Sequence, residues 1–195
     1  MAIGSPDKSA RLAQLRSYAR LQVRSGFETA EQVRADVFDA VHDEVKELDQ
    51  AQQLTDELLN AEIADLTREA ASWSGNTQFD DLQAAFAELE ARDIVVLQAC
   101  EDHWAAQQVL EKRAAEGKRP WGIAYFTPSD VWHAVEHGML EINLWHGSSA
   151  NVAAGEELLT FVHDTLARHG IASLFDEGRI EVTVSWQRRP TSPSS

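Results

Sequence analysis

Two histidines and a glutamate lie within five residues, in the run His133-Ala134-Val135-Glu136-His137. The order H-x-x-E-H is the inverted zinc-protease signature. On a helix, His133 and His137 fall one turn apart on one face. Both rings could reach a metal such as zinc, and Glu136 stands where it could take a proton from metal-bound water. The same stretch argues the other way. Gly138 ends the helix directly after the second histidine, and no long following helix delivers a third carboxylate. A metal-dependent hydrolase, with His133 and His137 as ligands and Glu136 as general base, is therefore the alternative expectation. The first expectation is surface histidines, with no catalytic residue, metal or cofactor.

A second cluster, Cys100-Glu101-Asp102-His103, pairs a thiol with an imidazole. Neighbours in sequence seldom face each other as a catalytic dyad must. The cluster reads better as a strand-end thiol followed by an acidic pair at a helix N-terminus, where the helix dipole favours negative charge. His163 and Asp164 have the same standing. No G-x-S-x-G, Walker loop, G-x-G-x-x-G or EF-hand loop occurs, which removes the strongest short motifs for hydrolases, nucleotide binders and calcium sensors.

The chain has six Trp. Core filling accounts for most of them. Trp132, on a short helix, and Trp145, near the end of an alternating strand, are the candidates for binding anchors, because an exposed Trp is costly. With Tyr125 and His146 they form the expected ligand or partner surface on the stretch Pro120–Gly147.

The elements that must position these residues follow from periodicity. Leu12, Leu15 and Ala19 recur at helical spacing, with Arg16, Arg20 and Arg24 on another face, and Gly26 ends that helix. Thr29 and Gln32 make a capping box for the next one, which carries Val33, Val37, Val41 and Val45 to about Leu48. Leu54, Leu58, Leu59, Ile63 and Leu66 stripe a third helix to about Ala71, with Asp56, Glu57, Glu62, Asp65 and Glu69 facing out. Trp73 to Asn76 is a loop and the best internal boundary.

Phe79 to Ala91 reads as a fourth helix, Ile94 to Leu97 as a strand, and Glu101 to Glu116 as a helix. Trp121 to Phe126 is a strand, and Pro128 opens a short helix. Leu140, Ile142 and Leu144 alternate in the next strand. A helix over 151–168 precedes Ile171 to Phe175 and Arg179 to Trp186, a hairpin turned at Asp176-Glu177-Gly178. The predicted class is α+β: N-terminal helices followed by a mixed sheet of about five strands with helices packed on it. The expected organisation is a helical region over 9–72, an α+β domain over 76–189, and flexible tails over 1–8 and 190–195.

The net charge is −15. Residues 26–117 alone carry six basic and 22 acidic side chains. Such a block repels a duplex or an anionic membrane surface, so no nucleic-acid or membrane partner is expected. It fits solvated helix faces, or a docking face for a basic partner. Cys100 is the sole cysteine, which excludes an internal disulfide and fits a reducing cytoplasm. The N-terminus lacks the apolar core of a secretory signal. Its arginines also suit an organellar transit peptide, but the apolar pattern continues into the next segment, as in a surface helix.

Three segments together resemble an uncharacterised bacterial family, a domain of unknown function of the DUF6891 type. They are ARLQVRSGFETAEQV (19–33), FDDLQAAFAELEARDIVVLQ (79–98), and the C-terminal half from WGIAYFTPSDVWHAV to HGIASLFDEGRIEVTVSWQRR (121–189). The hairpin ending in Trp186-Gln187-Arg188 carries most of the resemblance. It implies a single-chain cytosolic protein and supplies no activity. Members often carry a His where this chain has Thr127, and some a cysteine cluster where only Cys100 remains. Both departures weaken a metal or redox role.

The expectation is a non-catalytic, acidic, cytoplasmic module that binds a protein partner or small ligand through the surface around residues 125–148. A third alternative is an immunity- or antitoxin-like protein whose acidity neutralises a basic partner.

Overall fold

The computed structural model describes residues 8–190. These form two compact units. One holds the described residues up to Trp73 together with Arg188 to Pro190, and the other is Ser74–Gln187. The expected tail segments 1–7 and 191–195 lie outside the described residues. Lys8, expected in the tail, is the first residue of a helix.

The first unit is three helices, α1 (Lys8–Ser25), α2 (Ala30–Val45) and α3 (Leu48–Ala70), each packed on the other two. Thr29 caps α2 as the sequence predicts. Its hydroxyl accepts from the Gln32 N–H at 3.2 Å, and Gln32 Oε1 accepts from the Thr29 N–H at 3.0 Å. Valines are modest helix formers, so α2 depends on burying Val33, Val37 and Val41 against Ala19, Leu58 and Leu59.

Two expectations for this unit change. Arg24 is not on an open basic face: it is 6% exposed. Its guanidinium donates to both Glu69 carboxylate oxygens at 2.7 and 2.8 Å, and Nε lies 3.6 Å from Glu62. Glu62 and Glu69 are two turns apart on α3, so they present one acidic stripe to α1 instead of facing away. Ile63, the neighbour of Glu62, is displaced from the apolar stripe and is exposed. Arg188 belongs with the helices, because its guanidinium lies over Gly26: a Cβ at Gly26 would stand 1.5 Å from Nη1.

The second unit is a five-stranded mixed sheet. Its strands are β1 (Ile94–Leu97), β2 (Gly122–Tyr125), β3 (Met139–His146), β4 (Ala172–Asp176) and β5 (Arg179–Thr183), and its helices are α4 (Gln78–Glu90), α5 (His103–Ala115), α6 (Pro128–His137) and α7 (Glu157–Arg168). The strand order is β1-β2-β3-β5-β4. β1 and β2 are parallel and joined by α5, and the other pairings are antiparallel. The hairpin turn has Glu177 at φ 43° and Gly178 at φ 92°, positive at both central positions as a tight hairpin of this twist requires. The last strand stops at Thr183, short of Trp186. The last helix starts at Glu157 and not at Asn151, because Asn151 forms a bridge with Trp145.

The pleat sorts side chains onto two faces. A Cβ at Gly122 would meet Leu158 of α7 at 2.7 Å, so Gly122 and Ala124 look toward α7. Cross-strand partners share that face, which places Leu140, Ile142, Leu144, Ile180 and Val182 there, all fully buried. The opposite face carries Val95, Ile123, Tyr125 and Trp145 under Ala106 and Leu110 of α5. Further along that face, Glu141, Arg179, Glu181 and Leu174 follow by register. Leu174 is 64% exposed, so the helical cover gives out toward β4.

Candidate functional site: the cleft beyond β1 and β2

In an open sheet, the crevice beyond the carboxyl ends of parallel strands is where the chain can present loops and helix starts together. Here β1 and β2 leave the sheet side by side. Phe126 N–H donates to the Leu97 carbonyl at 3.2 Å, and Cys100 N–H to the Phe126 carbonyl at 2.8 Å. Each exit turns into a helix. Asp102 caps α5 by accepting from Ala105 N–H at 2.9 Å. Thr127 precedes Pro128 at the first turn of α6, and Asp130 Oδ2 accepts from both the Thr127 N–H and hydroxyl at 2.7 Å.

A cleft of about 490 Å³ opens between these turns, lined among others by Glu101, Asp102, His103, Tyr125, Ser129 and Asn143. Tyr125 forms its inner wall. The residue is 3% exposed, with its ring edge-on to Trp145 at 4.8 Å. Its hydroxyl has no hydrogen-bond partner among the described residues. Burial, then the neighbouring Cys100 and Asp130, push it up to about 12, so it stays a neutral phenol at physiological pH. The Cys100 thiol donates to the Asp102 carbonyl at 3.1 Å, and burial also pushes it up. A thiol kept protonated is a poor nucleophile.

Of the residues singled out in the sequence, Tyr125 and Trp145 are brought together, but Tyr125 is a wall of the cleft and not an open surface. His146 is drawn to the loop after β3, with Nε2 2.8 Å from Glu156. Trp132 packs beside the imidazoles of its own helix, at 5.0 Å from His133 and 5.2 Å from His137. The His133 and His137 rings are 6.1 Å apart and inclined at 43°. Among the described residues no group of three or more His, Cys, Asp or Glu side chains is disposed to hold a metal, so the pair has no third protein donor there.

Trp104, read from sequence as core, is the exposed one: 59% of it is open to solvent, tilted against His103 at 4.7 Å. A signal for this exists. Ala106 and Leu110 mark the buried side of α5, and Trp104 lies two residues from Ala106, about 200° around the helix.

The fold and cleft define an α+β protein with a small polar crevice at the parallel edge of a mixed sheet. The chain belongs to the family described as Domain of unknown function (DUF6891), whose model matches residues 8–190. No curated protein and no solved structure matches the chain.

Proposed function

We propose that this protein is a binding module and that its ligand sits in the cleft beyond β1 and β2. The observation that carries the reading is the Tyr125 hydroxyl. The residue as a whole is 3% exposed, while its hydroxyl oxygen stays open to solvent at the cleft. Here the group faces a cleft rather than packed side chains, and a bound molecule would complete its hydrogen bonding. Binding, rather than turnover, is supported by the protonated state of Cys100 and by the use of Asp102 and Asp130 as helix caps. Among the described residues no helix is long and apolar enough to cross a membrane. A cytoplasmic setting is part of this proposal and rests on the single cysteine.

The test is residue-resolved NMR of the full chain with a library of small polar fragments of both charge signs and neutral ones. Shifts concentrated at residues 101–104, 125–129 and 143 are expected. Shifts confined to other surfaces would refute the reading.

A further inference from the structure

The charge around the cleft selects its ligand. Two helix N-termini point into it, and each contributes roughly half a positive charge. Taken alone they would favour an anion. Three carboxylates oppose them: Glu101 and Asp102 in the lining, and Asp130 one turn into α6. Counting only the two carboxylates in the lining, about one positive charge stands against two negative ones, and the cleft is acidic. Arg179, across the sheet from Asn143, is engaged by Glu141 at 2.8 Å, and among the described residues no Lys or Arg lines the cleft.

The neutral groups agree with this balance. Tyr125 and Ser129 hydroxyls and the Asn143 amide each carry an accepting oxygen. Among the described residues the Tyr125 hydroxyl has no protein donor to accept from.

We propose that the cleft seats an ammonium or guanidinium group, held by Glu101 and Asp102, with the Tyr125 hydroxyl accepting one of its N–H bonds. This rests on the cleft being the binding site and names the chemistry that fills it. Two sources carry such a group: a free amine, or a Lys or Arg side chain of a partner.

The experiment is calorimetric titration of the full chain with four probes: agmatine, an acetylated lysine-containing tripeptide amide, inorganic phosphate and trehalose. Saturable binding of one or both cations is expected, with agmatine alone pointing to a free amine and the tripeptide to a protein partner. Tyr125→Phe, which keeps net charge and packing, should weaken the binding about tenfold, the loss expected for one hydrogen bond to a charged group. Glu101→Gln with Asp102→Asn, which keeps a competent helix cap, should abolish it. Glu57→Gln on α3 should leave it unchanged.

Cation binding that Tyr125→Phe leaves intact would overturn the proposal, because it would report only diffuse attraction to an acidic surface. Phosphate or trehalose binding in a Tyr125-dependent way, without the cations, would overturn the ligand assignment and leave the binding module standing. No response to any of the four would overturn the proposal, and the fragment experiment would then decide the module by itself.

Discussion

Replacing Arg24 by methionine tests the account of the three-helix unit most directly. The substitution keeps an unbranched apolar stem and removes the guanidinium. Glu62 and Glu69 then face each other without the cation between them. Breaking a fully buried pair by removing one partner costs about 3–5 kcal/mol. Here the Arg24 side chain is 7% exposed but that of Glu69 is 45% exposed, so water screens part of the loss, and about 2 kcal/mol is the expected destabilisation. At about 4–8 °C per kcal/mol for a unit of this size, that is roughly 8–16 °C in its melting temperature.

Because the other unit contributes its own transition, the assay must resolve elements. Hydrogen exchange of peptides from α1, α2 and α3, measured across a urea series, does this. The pH dependence supplies a second arm. The hydrogen bond from Arg24 holds the Glu69 carboxyl below its ordinary range. A carboxyl depressed in the folded state contributes stability above its unfolded pKa and loses it as pH falls through the folded value. The gap between wild type and Arg24→Met should therefore be full at pH 7 and shrink in acid. Arg34→Gln, at the exposed pair with Asp56, should change nothing measurable. If α1–α3 in Arg24→Met opened at pH 7 with the wild-type free energy, within about 0.5 kcal/mol, the buried-cation account would be wrong.

Three further outcomes follow from the second unit. Gly147→Ala would place a Cβ 1.9 Å from the Pro120 carbonyl oxygen, a backbone clash that should cost about 3 kcal/mol, seen as a lower urea midpoint. The His163 ring bonds the Ser173 hydroxyl at 2.7 Å, and burial lowers its pKa. The unfolded chain then binds the proton more readily, so stability should fall as pH drops below about 6.5, and His163→Gln should flatten that part of the profile. Tyr125→Phe removes a hydroxyl that has no protein partner among the described residues and is open to solvent at the cleft, so the ligand-free protein should keep its stability to within about 0.5 kcal/mol; a loss above about 1.5 kcal/mol would mean that the hydroxyl is bonded within the fold.

Much of the architecture is legible in the chain because it depends on local rules. The capping box at Thr29, the proline opening α6, and the glycine closing it each act within a few residues of their own position. The strand over 94–97 and the alternation of Leu140, Ile142 and Leu144 report one strand's exposure to one core. Acidity, the single cysteine and the class of the fold were likewise available from composition and period.

Only the tertiary structure decided the rest. Periodicity states that Arg24 shares a face with Arg20, but not that α3 presents Glu62 and Glu69 to it, since that depends on how two helices are rotated against each other. The sheet order could not be read either, because pairing β5 with β3 and leaving β4 at the edge is a choice among strands with similar patterns. The cleft is the clearest case. Glu101 and Asn143 are far apart along the chain and Tyr125 looks like an ordinary strand aromatic. They become one site because two parallel strands end together and two helix starts turn the same side of the sheet into a pocket. Charge and residue type are properties of the sequence; which charges face one another is a property of the packing.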